Sequence, residues 1–295
     1  MVTGSFRSAA RGGALTNWAI ARPPNQTGAL RPVIALHGKG SDAATVMAGG
    51  VEGGLAQAVA AGLPPFAVVA VDGGGSYWHQ RASGEDSGAM VLDELLPMLA
   101  NEGLDTSRVG FLGWSMGGYG ALLLGARLGP ARTAAICAVS PALWHSAGAA
   151  APGAFDSAED FAANSVFGLP ALTSIQIRID CGYSDPFYGA AAQFVAQQRR
   201  YFSAGTPTQV TGQVLEHDQV GAGRRRSARE CADRLVLSIP SLPEQHVGRG
   251  VRVQLVAGDR LDDLVGDGGQ AGCGQPLLQA LQQHRSHLCL GADAS

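Results

Sequence analysis

The chain has 295 residues, of which 46% are hydrophobic, 15% are charged and 42 are glycine. This composition excludes a disordered chain and is sufficient for one large domain with a sizeable core. The net charge of −3 excludes the basic surface that nucleic-acid binding requires, and we expect a small, neutral substrate.

Strands and helices alternate along the first two thirds of the chain. Short apolar runs rich in β-branched residues predict buried strands at 32–36, 66–71, 109–112, 133–139 and 175–179. Segments with helical spacing are found at 51–61, 88–100, 117–128 and 188–198. This order predicts an α/β fold with a mostly parallel sheet and helices on both faces. The loops that follow the strands then meet at one edge of the sheet, where ligands bind in such folds.

A Gly-x-Ser-x-Gly motif lies between a predicted strand and a helix of small residues. It consists of Gly113, Ser115 and Gly117, with Trp114 and Met116 between them. Such a strand-to-helix turn is typical of the nucleophile elbow of α/β-hydrolases, in which flanking glycines leave room for a strained serine backbone. We therefore predict an α/β-hydrolase fold with Ser115 as the nucleophile.

An oxyanion hole requires two backbone N–H donors near that serine. Met116, the residue after the nucleophile, is predicted to supply one of them. The second is expected from the glycine-containing loop after the first predicted strand, where we select Lys39. His37 begins this loop and is expected to shape it and to contact substrate, not to act as the base.

The loop after the strand at 66–71 contains two further candidates for substrate contact. Tyr77 and Trp78 either form an apolar wall for the acyl or alcohol group, or they pack in the core. Residues 145–172 lie between two predicted strands and form either a lid or a surface connection.

The catalytic acid is expected in the loop after the strand at 175–179. Asp185 is favoured over Asp180, because a carboxylate at the end of a strand more often pairs locally. A histidine should follow the acid in the chain, and His217 has a suitable separation from Asp185. His246, His284 and His287 are the remaining candidates.

The composition changes near residue 196. Tyr201 and Phe202 are the last aromatic residues, while arginine and glutamine become frequent. We therefore divide the chain into an α/β-hydrolase core at 1–195 and an anomalous, non-native or disordered tail at 196–295. The tail is either a divergent appendage or the product of a shifted reading frame in a GC-rich gene. The abrupt loss of aromatic residues favours the second explanation.

The five cysteines show neither paired spacing nor a zinc-binding pattern, so neither a metal site nor a disulfide framework is predicted. No organic cofactor and no obligate protein partner is expected. The first residues lack the pattern of a secretory signal, and the cellular location is left open.

Together these motifs resemble the Putative esterase family of α/β-hydrolases, which includes the esterase D type enzymes and the mycobacterial mycolyltransferases. The resemblance covers about residues 3–195. The segments that carry it are His37 to Gly40, Asp72 to Trp78, Glu85 to Gly88, Gly113 to Gly120, Ser140 to Trp144 and Asp180 to Asp185.

The resemblance implies a carboxylesterase or acyltransferase that uses Ser115, Asp185 and a histidine, with Lys39 and Met116 as oxyanion donors. It also implies a small ester or acyl-donor substrate, and similar proteins are often exported. Family members place their histidine in a Gly-x-His-Asp-like loop followed by aromatic residues, of which only His217-Asp218 is present here. Three functions therefore stay open: ester hydrolysis, acyl transfer at the same site, and a catalytically inactive binding protein that lacks a proper base.

Overall fold

The computed structural model describes residues 1–26 and 28–203, together with the backbone of two short strands, Gln213–Val214 and Gln254–Leu255. These two strands pair with each other in parallel. The side chains of residues 199–203 are not described, and His217, His246, His284 and His287 lie outside the described residues.

A sheet of seven strands forms the centre of the described molecule, in the order β1-β2-β4-β3-β5-β6-β7. The five strands from β3 to β7 run parallel, as the sequence predicts. β1 and β2 form an antiparallel hairpin that adds to the edge at β4 and was not predicted. The strands are β1 (Val2–Ser8), β2 (Ala14–Ala21), β3 (Pro32–Leu36), β4 (Ala67–Val71), β5 (Val109–Trp114), β6 (Thr133–Val139) and β7 (Gln176–Asp180).

Helices cover both faces of this sheet. α1 and α2 pack on the face to which Val33 and Ala35 contribute, whereas Ile34 and Leu36 point into the larger core on the other face. This alternation is the two-residue period of a strand that is buried on both sides. The helices are α1 (Ala43–Ala48), α2 (Val51–Ala60), α3 (Ser87–Ala89), α4 (Leu96–Asn101), α5 (Met116–Leu128), α6 (Ala158–Ala163) and α7 (Tyr188–Ser203).

The predicted helix at 88–100 is interrupted by a π-helical turn at Met90–Leu95, which joins α3 to α4. Within this turn the N–H of Leu96 donates to the carbonyl of Val91. Pro97 follows directly, and a proline has no N–H and clashes with a regular helical turn before it. The wider turn accommodates Pro97 without ending the helix.

The strand order reverses at β3, which lies between β4 and β5. At such a point the loops leave the sheet in opposite directions and open a crevice beyond the carboxyl ends of the strands. The loops that begin at His37 and Asp72, and the turn that contains Ser115, all start at this place. The topology therefore brings together the motifs that the sequence predicts to be functional.

Candidate active site

Ser115 occupies the turn between β5 and α5 in a strained backbone conformation, with φ of 54° and ψ of −121°. Its N–H donates to the carbonyl of Val139 at 3.0 Å, and its carbonyl accepts from the N–H of Ala142 at 3.0 Å. Non-glycine residues persist in this region only where the surrounding structure holds them. β6 and the loop after it therefore hold the serine in place.

The two glycines of the motif lie against backbone. A Cβ atom on Gly117 would lie 2.0 Å from the carbonyl oxygen of Leu36, and one on Gly113 would lie 2.1 Å from the carbonyl oxygen of Gly117. Both distances are impossible for a real side chain. The motif thus needs glycine for the close approach of α5 to β3 and β5.

The loop after β3 lies beside the serine. A Cβ atom on Gly38 would be 3.7 Å from the Cβ of Ser115 and 3.5 Å from the carbonyl oxygen of Trp114. Lys39 follows Gly38 directly, and Met116 is the buried first residue of α5. The structure therefore brings the two predicted oxyanion donors to the neighbourhood of Ser115.

His37 is fully buried beneath this loop, and both of its ring nitrogens are occupied. Nδ1 donates to the carbonyl of Gly38 at 2.7 Å, and Nε2 accepts from the N–H of Gly73 at 2.9 Å. Burial lowers the pKa of the imidazole, which agrees with the neutral form that these two bonds require. His37 thus joins the loops after β3 and β4, and no ring nitrogen is left to act as a base or to contact substrate.

Trp78 has no exposed surface. Its ring fills space that glycines leave open, since a Cβ atom on Gly73 or Gly120 would lie 2.3 or 2.4 Å from the indole. Its edge contacts the ring of His37, with the centroids 5.1 Å apart. This burial favours the packing role over the predicted substrate contact.

Tyr77 is 4% exposed and lies in a cluster of aromatic rings that also includes Tyr119 and Phe155. Its ring centroid is 5.9 Å from that of Trp144, which in turn is 5.6 Å from that of Phe187. Trp144 and Phe187 are only partly buried. Sequence reasoning did not select them as site residues, although each follows a predicted strand at the same edge of the sheet.

The carboxylate at the end of β7 and the one in the loop that follows have different surroundings. Asp180 is buried and forms an ion pair with Arg178, Oδ2 to Nε, at 2.8 Å. In Asp185, Oδ1 accepts from the N–H of Phe187 at 2.8 Å. Its Oδ2 is buried and has no N–H or O–H donor among the described residues. Asp185 is thus the carboxylate with an oxygen left to orient another side chain.

Cys181 lies against the same carboxylate. Burial in the first place, and then the negative charge of Asp185, raise the pKa of its thiol to about 12. The thiol is therefore neutral near pH 7, which makes it an unsuitable nucleophile.

His217, the predicted base, lies outside the described residues. Of the other histidines, His79 is buried, and its two nitrogens contact the carbonyl of Tyr77 at 3.1 Å and Oδ2 of Asp160 at 3.3 Å. His145 is exposed. Among residues 1–26 and 28–203, no histidine forms a hydrogen bond with Asp185.

The segment at 145–172 is tied to the loop after β4. Arg81 makes a two-pronged ion pair with Asp156, with Nη2 and Oδ1 2.7 Å apart, and His79 reaches Asp160 on α6. These contacts fix the segment to the loop after β4.

The described part of the chain has neither a membrane-spanning helix nor a cluster of metal ligands. No helix there is long and apolar enough to cross a membrane. No group of three or more His, Cys, Asp or Glu side chains among the same residues is arranged to hold a metal ion.

The sheet, its two helical layers and the serine at a sharp strand-to-helix turn define an α/β-hydrolase. The chain belongs to the family described as Putative esterase, whose model matches residues 13–219. This membership supports ester hydrolysis as the class of reaction.

Several solved structures share the fold. A ferulic acid esterase is 21% identical, with a TM-score of 0.57 over 68% of this chain and 85% of its own. FphF, a fluorophosphonate-binding serine hydrolase of Staphylococcus aureus, is 18% identical, with a TM-score of 0.55 over 68% and 86%. An S-formylglutathione hydrolase from Agrobacterium tumefaciens is 21% identical, with a TM-score of 0.51 over 66% and 80%. A comparison with curated protein sequences gave no match.

Proposed function

We propose that the protein hydrolyses carboxylic esters through an acyl-enzyme on Ser115. The observation that carries this proposal is the strained Ser115 backbone, with φ of 54°, at a turn that lies directly beside the glycine loop after β3. Strain of this kind is retained where function requires it, and a nucleophile elbow lifts the serine hydroxyl above the sheet.

The proposed oxyanion hole consists of the N–H groups of Lys39 and Met116. Met116 is the first residue of α5, so its N–H belongs to the amino-terminal end of a helix of 13 residues. Such N–H groups are free of intrahelical partners, and the helix dipole stabilises negative charge there. Gly38 allows the Lys39 backbone to approach from the opposite loop.

Asp185 is the proposed acid, because its buried Oδ2 is without an N–H or O–H donor among the described residues. The proposed base is His217, which follows the acid in the order expected of this fold. The match to the family extends to residue 219 and therefore includes His217.

In this mechanism the Ser115 hydroxyl oxygen attacks the ester carbonyl carbon while His217 takes its proton. The oxyanion accepts hydrogen bonds from Lys39 and Met116. The bond to the alcohol oxygen then breaks, and His217 protonates the departing alcohol. Water attacks the acyl-enzyme in the same manner and releases the carboxylic acid. Asp185 orients His217 and stabilises its charged form throughout.

Labelling with a fluorescent fluorophosphonate tests the proposal, together with hydrolysis of para-nitrophenyl acetate. The full chain should label, Ser115→Ala should not label, and His217→Ala should lose activity by about 10⁴-fold or more. Ser146→Ala is the matched control, because Ser146 is exposed and its side chain makes no recorded hydrogen bond.

If the full chain is folded but does not label, the proposal of ester hydrolysis is wrong. The alternative of a catalytically inactive binding protein then takes its place. Labelling that survives Ser115→Ala would place the nucleophile elsewhere. Acyl transfer is distinguished by adding an alcohol acceptor in excess. If most of the acyl group then appears as a new ester and little as acid, transfer is the main reaction.

A further inference from the structure

We propose that the ammonium group of Lys39 selects substrates that carry a carboxylate close to the ester bond. This inference rests on the proposed function, because it concerns which esters reach Ser115. It assigns to the Lys39 side chain a role separate from that of its backbone N–H.

The position of the side chain is the first argument. Lys39 follows Gly38, which lies against Ser115, and the exposed Lys39 side chain extends across the edge of the site. Its Nζ is 3.3 Å from the carbonyl oxygen of Pro152 and 5.7 Å from the ring centroid of Tyr77. The ammonium group thus lies between the loop after β3 and the segment after β6 that contains Pro152.

The second argument is that this charge has no counter-charge. Within the part of the chain that the structure describes, no carboxylate forms an ion pair with Lys39. By contrast, Arg11, Arg81 and Arg178 each pair with a carboxylate. An ammonium group has three donors, and the long contact to Pro152 uses one of them. Two donors and the full charge stay available to a ligand.

The third argument concerns the whole molecule. The net charge of −3 predicts a neutral substrate, but exposed charges farther away than about 8 Å are largely screened at physiological salt. Lys39, the only lysine of the chain, therefore has more influence at the site than those acidic residues that lie farther away than this.

The substrate class that fits is an ester with a carboxylate on its acyl or its alcohol part. Two matched pairs of probes place the charge on either side of the ester bond. On the alcohol side, para-acetoxybenzoate is compared with its neutral methyl ester. On the acyl side, mono-para-nitrophenyl adipate is compared with para-nitrophenyl hexanoate.

The measured quantity is the ratio of kcat/KM for the anionic ester to kcat/KM for its neutral partner. Lys39→Met should lower this ratio about fivefold for at least one pair, and Lys39→Arg should keep it within about twofold. Because the Lys39 N–H also belongs to the proposed oxyanion hole, both esters share any disturbance of the loop, and the ratio removes it. High salt should lower the ratio of the unmodified protein and leave that of Lys39→Met unchanged.

If Lys39→Met leaves the ratio unchanged in both pairs while the neutral esters are hydrolysed, the inference is wrong. The proposed function is then still supported. A ratio that Lys39→Arg fails to restore also overturns the inference, since charge would then not be the cause. If the full chain hydrolyses none of the four esters and does not label at Ser115, the proposed function fails and the inference with it.

Discussion

The serine side of the site (residues 37–40 and 113–117) and the acid side (residues 180–187) differ in how far neighbouring residues define them. On the serine side, the backbone of Ser115 is fixed from both directions by Val139 and Ala142. On the acid side, Asp185 is held by its own loop through Phe187 and keeps one buried oxygen without an N–H or O–H donor among the described residues. A nucleophile can thus be positioned by local packing, whereas an acid depends on a partner from another part of the chain.

Apart from the Ser115 and His217 variants, the largest effect on activity is expected from Asp185 on the acid side. Asp185→Asn should lower kcat by about 10³- to 10⁴-fold, because an amide neither stabilises a charged histidine nor fixes its tautomer. The free energy of unfolding of Asp185→Asn should differ little from that of the unmodified protein. Steady-state hydrolysis and thermal unfolding measure the two quantities.

Asp180→Asn is the matched variant for that experiment. It removes the charge that pairs with the buried Arg178, so the free energy of unfolding should fall by about 3–5 kcal/mol. If Asp180→Asn instead removed activity from a stable protein, and Asp185→Asn did not, the two carboxylates would have to exchange roles.

On the serine side, the largest loss of stability is expected from adding a single methyl group at Gly117. Gly117→Ala places a Cβ against the backbone of Leu36, and we expect a loss of at least about 3 kcal/mol in unfolding free energy, since backbone cannot move aside as a side chain can. Gly53→Ala is the control: Gly53 is an exposed position of α2 with open space around its Cα. There alanine should stabilise by about 0.5–1 kcal/mol. If chemical denaturation gave equal changes in unfolding free energy for Gly117→Ala and Gly53→Ala, the close approach of α5 to β3 would be contradicted.

The parts of the fold that are buried on both faces could be predicted from the sequence. β3 and β6 have the predicted bounds, because their continuous apolar runs are typical of central parallel strands that are buried on both faces. The hairpin of β1 and β2 was missed. In this hairpin Gly4 lies opposite Trp18, whose ring occupies the space above it. That pairing cannot be read from either strand alone.

The same limit applies to the site. The Gly-x-Ser-x-Gly motif is local, so its strand-to-helix geometry could be predicted together with the place of Ser115. The burial of Trp78 and the two bonds of His37 depend on loops that meet only in the fold. His217 lies outside the described residues, and its role stays a prediction, as does the boundary at 195/196, which α7 crosses.

A smaller effect should follow from loosening the support of the serine side. Arg11, in the turn between β1 and β2, donates to the carbonyl of Asp72 at 2.8 Å and pairs with Glu85 at 3.0 Å. Arg11→Met should lower the unfolding free energy by about 1–3 kcal/mol and reduce kcat a few-fold, because the Asp72 loop holds His37. Arg7→Met removes an exposed arginine of β1 and should stay within about 0.5 kcal/mol. If the two variants matched in both measurements, the Arg11 contacts would have no special role.

The smallest effect concerns the pH dependence of that support. Burial holds the pKa of His37 below its ordinary value of 6.5. As the pH falls through that value, the unfolded chain takes up a proton that the folded chain does not yet accept. The contribution of neutral His37 is therefore complete above pH 6.5 and is lost below it, with a slope of at most about 1.4 kcal/mol per pH unit.

His37→Gln removes this titration, so the unfolding free energy of the variant should fall less steeply below pH 6.5 than that of the unmodified protein. His145→Gln, at an exposed histidine, should keep the original slope. Denaturant titrations at a series of pH values give both slopes. Parallel curves for His37→Gln and the unmodified protein would mean that the buried imidazole accepts a proton as readily as a free one. His37 would then join the two loops in its charged form, and the serine side would carry an additional positive charge in acid.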